Sequence, residues 1–137
     1  MPSRRALVAV SAAQLAAGLA GQALAVRRRH HFDLPFLTGD PARVGRDSLW
    51  MGTALAAPVW MLAAQAWAVS RLAAGPDERA RRVLRLLSGG MVPGYLQERL
   101  VRERLAAPAS APLETAVVVG GLGLAAAMAV LGRPARP

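Results

Sequence analysis

The chain has 137 residues, 54% hydrophobic and 18% charged, with a formal net charge of +9 and no cysteine. That length is one domain, and disulfides, thiolate nucleophiles and thiolate-held metals are excluded. All 17 basic residues are arginine, and they lie mainly beside the ends of uncharged apolar runs, where basic side chains meet lipid phosphates. The aromatic residues are too few and too scattered to stack bases, so nucleic acid is not an expected partner. Arginine without lysine, amid abundant Ala, Gly and Pro, points to a GC-rich bacterial genome.

Uncharged apolar runs of about 18 residues or more are the usual mark of transmembrane helices. The first, residues 6–26, would be about 31 Å long as a helix, enough to cross a hydrocarbon core of roughly 30 Å. Ser3-Arg4-Arg5 and Ala23-Leu24-Ala25 loosely resemble an export signal and its cleavage site. The run is longer than a signal core and further apolar runs follow, so it is expected to be retained. Ala9, Ala13, Ala17, Gly21 and Ala25 recur at every fourth position and are expected to form a close-packing ridge. Gln14, Gly18 and Gln22 form a neighbouring ridge with Ser11 beside it. Amides in hydrocarbon need partners, so this ridge should also face other helices.

The stretch RRRHHFDLPFLTGD follows, residues 27–40. His30, His31 and Asp33 are its metal-capable side chains, but adjacent histidines diverge on a helix or a strand. A zinc site needs three or four converging ligands, so no metal is expected. The stretch reads better as a membrane rim. Arg27, Arg28 and Arg29 would end a span at the headgroups while Phe32, Leu34, Phe36 and Leu37 dip into the interface. Asp40-Pro41 is a helix start, with Asp as N-cap and Pro at the first helical position.

The second span is expected at residues 49–71, flanked by Trp50 and Trp67 as interfacial anchors and kinked at Pro58. Gln65 is its deepest polar residue. Gly75 then stops that helix, and Pro76, Asp77 and Glu78 start the next. Asp77 with Arg81, and Glu78 with Arg82, are spaced as ion pairs.

The third span, residues 83–101, has a short uncharged centre and crosses only if Arg85 and Arg99 snorkel to opposite headgroup layers. Gly90 and Gly94 are spaced for close helix contact, and Tyr95, Gln97 and Glu98 form a polar cluster at its end. The last span, residues 115–132, carries Gly120, Gly121 and Gly123. With no lysine nearby, these glycines serve helix packing and not phosphate binding.

Together these runs predict an all-α, polytopic membrane protein: a single domain over residues 1–137 forming a four-helix transmembrane bundle. The alternative is three spans plus one interfacial amphipathic helix. Both termini are expected to be cytoplasmic, with Arg4, Arg5, Arg71, Arg79, Arg81, Arg82, Arg85, Arg133 and Arg136 on that side, a weak positive-inside bias. The chain has no G-x-S-x-G elbow, H-E-x-x-H motif or P-loop, and no carboxylate lies in the centre of the spans to titrate for proton-coupled transport. No catalytic residue and no cofactor are expected.

The function predicted is a structural, interaction or accessory-subunit role in the cytoplasmic membrane of a bacterium. The alternative is binding or converting a lipid-like small molecule in an inter-helix pocket, with Gln14, Gln22, Gln65, Tyr95 and Glu98 as its polar groups. The partners expected are the bilayer with its anionic headgroups and either a membrane protein or a second copy.

Overall fold

Ser3 starts the first helix, its hydroxyl accepting from the Ala6 N–H at 3.0 Å. The computed structural model describes residues 3–134, and Arg136 lies outside them. Helix α1 (Arg4–Arg28) is 25 residues long, about 37 Å. It ends where Arg29 turns left-handed, with φ 54°.

Its buried side carries Leu7, Ser11, Gln14, Gly18, Gln22 and Ala25. The expected alanine ridge is therefore corrected: Ala9 and Ala13 face outward, and only Gly21 and Ala25 at its far end are fully buried. The amide ridge takes the inside because Gln14 and Gln22 find hydrogen-bond partners there, while an outward alanine gives up none.

Beyond α1 the chain makes a small hairpin of β1 (Asp33–Leu34) and β2 (Leu37–Thr38), paired antiparallel with Asp33 opposite Thr38. Phe32 is only 3% exposed and covers Gly39, whose added Cβ would lie 2.9 Å from the phenyl ring. Phe32 thus belongs to the protein interior and not to the interface, whereas Phe36 at the hairpin tip is 74% exposed. Asp40 caps a 3-10 turn, Pro41–Arg43, by accepting from the Ala42 N–H at 2.9 Å, and the turn runs into the short α2 (Val44–Asp47).

Residues 49–58 are irregular, which corrects the expectation of one kinked helix from 49 to 71. Helix α3 (Val59–Ala74) starts immediately after Pro58. Pro58 has no N–H to continue a helix, and its fixed φ suits a helix entrance. Gly52 at φ 91°, a Thr53–Ala56 bridge and a bond from the Val59 N–H to the Ser48 carbonyl at 2.8 Å shape the preceding turns. This segment sits deep, and Gly52 through Ala56 are buried. The absence of a Cβ at Gly21 lets the Leu55 carbonyl approach α1, where a methyl would be only 2.5 Å away.

Asp77 then caps α4 (Glu78–Gln97) by accepting from the Ala80 N–H at 3.0 Å. Its carboxylate also pairs with Arg71 at 3.0 Å, and Glu78 pairs with Arg81 at 3.9 Å. These partners replace the two pairs expected from spacing; Asp77 is kept from Arg81 because a capping carboxylate points back over the helix start and away from the following turn. Glu98 is extended and separates α4 from α5 (Arg99–Ala106). A continuous helix over residues 83–101 is thus replaced by a helix, a break and a second short helix. A 3-10 turn, Pro108–Ser110, leads into α6 (Pro112–Leu131).

Helix α1 packs on α3 and α6, and α4 packs on the same two, so the four long helices form a ring. They alternate in direction. At the end holding residues 3 and 134, Arg4 donates to the Leu72 carbonyl closing α3, and Arg81 donates to the Leu131 carbonyl closing α6 at 3.1 Å. These arginines satisfy carbonyls that the last helical turns leave open. The hairpin, the 49–58 segment and α5 gather at the other end.

The described chain is all-helical apart from the small hairpin and loops, and α1 and α6 are long and apolar enough to cross a membrane. Only 33% and 28% of their apolar windows are buried in the protein, so most of that surface faces outward. Leu19, Leu86, Leu96, Val119 and Val130 are among the exposed apolar side chains.

Candidate functional site

The three amides predicted in the pocket do not share one site. Gln65 of α3 donates to the Ser11 carbonyl at 3.0 Å and to Gln14 Oε1 at 2.8 Å, and Gln14 donates to the Gly121 carbonyl of α6 at 3.3 Å. This buried chain joins α1, α3 and α6. Gln22 instead donates to the Ala57 carbonyl at 2.8 Å and approaches that of Ser48 at 3.5 Å. It ties the irregular 49–58 backbone to α1. Buried backbone outside a helix needs protein groups to satisfy it, and Gln22 supplies one such partner.

Tyr95 and Glu98 do share a cavity. It measures about 130 Å³ and lies between α3, α4 and the 49–58 segment, with Met51, Met61 and Met91 on its walls. An engineered apolar cavity of about 150 Å³ admits benzene, so this one has room for a small group or the end of a longer molecule. Gly90 and Gly94 line it too. They were expected to pack closely, yet a Cβ on Gly94 would meet nothing within 4 Å, and one on Gly90 only the Met61 methyl at 3.9 Å. Of the α6 glycines Gly120, Gly121 and Gly123, Gly121 is the one in tight contact, since its missing side chain makes room for the Tyr95 ring. The Tyr95 hydroxyl lies beside the Gln14 amide without a well-formed hydrogen bond.

Glu98 sits beyond the last residue of α4 and is 7% exposed. One of its oxygens, Oε2, accepts from the Asp33 N–H at 2.9 Å. Burial pushes its carboxyl up to about 7. The bond from the Asp33 N–H opposes that rise, the Asp33 charge adds to it, and Arg102 opposes it. Glu98 makes no ion pair among the described residues, although Arg99 follows it directly; Arg99 turns instead to Glu103 at 3.0 Å and Asp33 at 3.7 Å.

Elsewhere at this end, Glu114 at the start of α6 gathers Arg28, His30 at 3.2 Å and Arg104 at 3.1 Å. In the sequence, Glu114 marks no more than a favourable start for the last helix. Its three partners come from α1, the following loop and α5, so no local spacing marks the cluster. The same is true of the three methionines, which come from three separate segments. His30, His31 and Asp33 line one shallow groove with Arg29 and Arg99. His30 is turned to Glu114, and Asp33 accepts from the Thr38 hydroxyl at 3.0 Å. Among the described residues, no three His, Cys, Asp or Glu side chains come together to hold a metal.

No family model, curated protein or solved structure matches the chain.

Proposed function

We propose that this protein is a four-span, multi-pass protein of the cytoplasmic membrane that works by binding and not by catalysis, as a structural or accessory component of a membrane assembly. One observation carries this reading: amides are bonded between helices inside the bundle while large apolar side chains face outward on all four long helices. The amides Gln14 and Gln65 are buried and bonded to other helices, while Leu19, Leu86, Leu96 and Val119 are exposed. Amides bonded inside the protein beneath outward-facing apolar side chains suit a hydrocarbon surround, where an amide must find its partner within the protein. Helix α3 has 16 residues, about 24 Å, and the buried 49–58 turns supply the rest of its depth. The exposed faces are apolar and partly small-sided, suited to lipid or to another membrane helix.

A second reading is favoured by the cavity at Tyr95 and Glu98, which opens between two helices and suits part of a lipid-like molecule.

Topology is tested with single cysteines at Ser3, Gly75 and Ser110, since there is no native thiol. Four spans label positions 3 and 75 from one side and 110 from the other. Labelling of positions 75 and 110 from one side would show that α4 does not cross, and labelling of position 3 from the opposite side would then show that α3 does not cross either. The accessory role is tested by purifying the tagged chain from its native membrane. A partner recovered in constant ratio supports it, and a chain recovered alone with lipid speaks against it.

A further inference from the structure

We infer that the cavity between α3 and α4 binds the protonated amine of an amphiphile, with Glu98 as its counter-ion and Met51, Met61 and Met91 receiving the first carbons of its chain. This inference rests on the ligand-binding reading and names the ligand's chemistry.

Three observations converge on it. First, Glu98 is a buried carboxylate in a chain rich in arginine, yet it forms no ion pair among the described residues. Its Oε2 accepts from the Asp33 N–H, while Oε1 has no hydrogen bond among the described residues. Removing a carboxylate from water is costly unless an opposite charge or several donors compensate it. An ammonium group at Oε1 supplies both, through charge-assisted bonds about twice as strong as neutral ones.

Second, most of the rest of the wall is apolar and adaptable, with Thr53 and Gln97 its other polar side chains. Ala54, Ala56, Pro58 and the methionines line it, and methionine reshapes readily around a flexible chain. Third, the mouth is open where an amphiphile would arrive. Gly90 is exposed on the outer side of α4, and the space above Gly94 is vacant to 4 Å. In the four-span reading that side faces lipid, and Glu98, at the loop end of α4, lies near headgroup depth. An amine would sit at Glu98 while its tail left between the helices into the bilayer.

The ionisable groups around Glu98 are Asp33 on the hairpin, Arg99 and Arg102 on α5, and Tyr95 on α4. The 49–58 segment and α3 contribute no ionisable side chain to the cavity. An ammonium favours the ionised carboxylate, so amine binding weakens as pH falls through the Glu98 titration near 7 and strengthens above it.

The ligand has two sources with this chemistry, an aminophospholipid headgroup or a free long-chain amine, and the experiment separates them. The full chain, solubilised in a neutral detergent, is titrated with n-decylamine, n-decanol or n-decanoate, and occupancy is counted by native mass spectrometry. The expected result is one decylamine per chain, held about tenfold more tightly than decanol or decanoate. In Glu98→Gln the amine preference should collapse to about twofold or less. Gly94→Leu, which fills the cavity from its vacant side, should bind none of the three while keeping its helical circular dichroism. Gly90→Leu serves the same purpose if Gly94→Leu does not fold.

Equal affinity for amine and alcohol, an undiminished amine preference in Glu98→Gln, or full binding by a folded cavity-filled variant would each overturn the inference. Displacement of decylamine by phosphatidylethanolamine but not phosphatidylcholine supports the site and assigns it to lipid. Displacement by neither supports the site and assigns it to a free amine. The cysteine labelling above reads topology independently, so a failed site and a failed span count are distinguishable.

Discussion

Gln65 is fully buried, and its amide donates to the Ser11 carbonyl at 3.0 Å and to Gln14 Oε1 at 2.8 Å. Its own Oε1 has no partner among the described residues. Gln65→Met keeps the side chain's length while removing both donors and the unpartnered acceptor. Two interhelical hydrogen bonds in a bilayer protein are worth about 0.6 kcal/mol each on average, and at most about 1.7 each. The substitution also strands Gln14 Oε1, at about 1 kcal/mol, but removes a stranded oxygen worth about the same. The expected net loss is about 1 kcal/mol. Gln14→Leu should cost a similar amount, since it gives up its bond to the Gly121 carbonyl at 3.3 Å.

The decisive quantity is the coupling. The double variant leaves neither amide stranded, so it should be more stable than the sum of the single losses by about 0.6–1.7 kcal/mol. Reversible unfolding in mixed micelles by an anionic detergent measures all four corners of the cycle. Additive losses would show that the two amides do not support one another. Bonding to α3 would then not be what turns this ridge of α1 inward.

Gly121→Ala places a methyl about 2.9 Å from the Tyr95 ring carbon Cζ and should cost about 1–3 kcal/mol through overpacking. Adding Tyr95→Phe should recover part of that loss, while Gly120→Ala, with nothing within 4 Å, should be neutral or stabilising in the same unfolding assay. Asp77 is held below its ordinary value of 3.8 by the Ala80 N–H and by Arg71. Its folded pKa is depressed, so its stabilisation is present above the unfolded value and lost as pH falls through the folded one. Asp77→Ala should therefore lower the melting temperature at pH 7, by a margin that shrinks steadily below about pH 4. An equal loss at pH 7 and pH 3 would show that capping by the charged carboxylate is not the cause.

Local chemistry was readable without any fold. Long uncharged runs appear as helices because hydropathy and helix formation are both summed over neighbouring residues. The caps at Asp40 and Asp77 form where spacing put them because a cap bonds the backbone only two or three positions ahead. The last run was readable for the same reason, and its helix starts at Pro112, close to the expected 115.

What tertiary structure decided is where each polar group finds its partner. Periodicity laid out two ridges on α1 but could not say which turns inward, because the answer is Gln65, whose bond to Ser11 spans 54 positions. Residues 49–70 looked like one helix because none is charged. Their first turns stay irregular in a place where Gln22 of α1 and the small Gly21 can receive them. Glu98 looked like a charge ending a helix at the membrane surface; it is buried because the Asp33 N–H, 65 positions away, bonds it there. Apolar character travels with the chain, but a buried polar group is stable only where a distant segment satisfies it, and that meeting exists only in the folded protein.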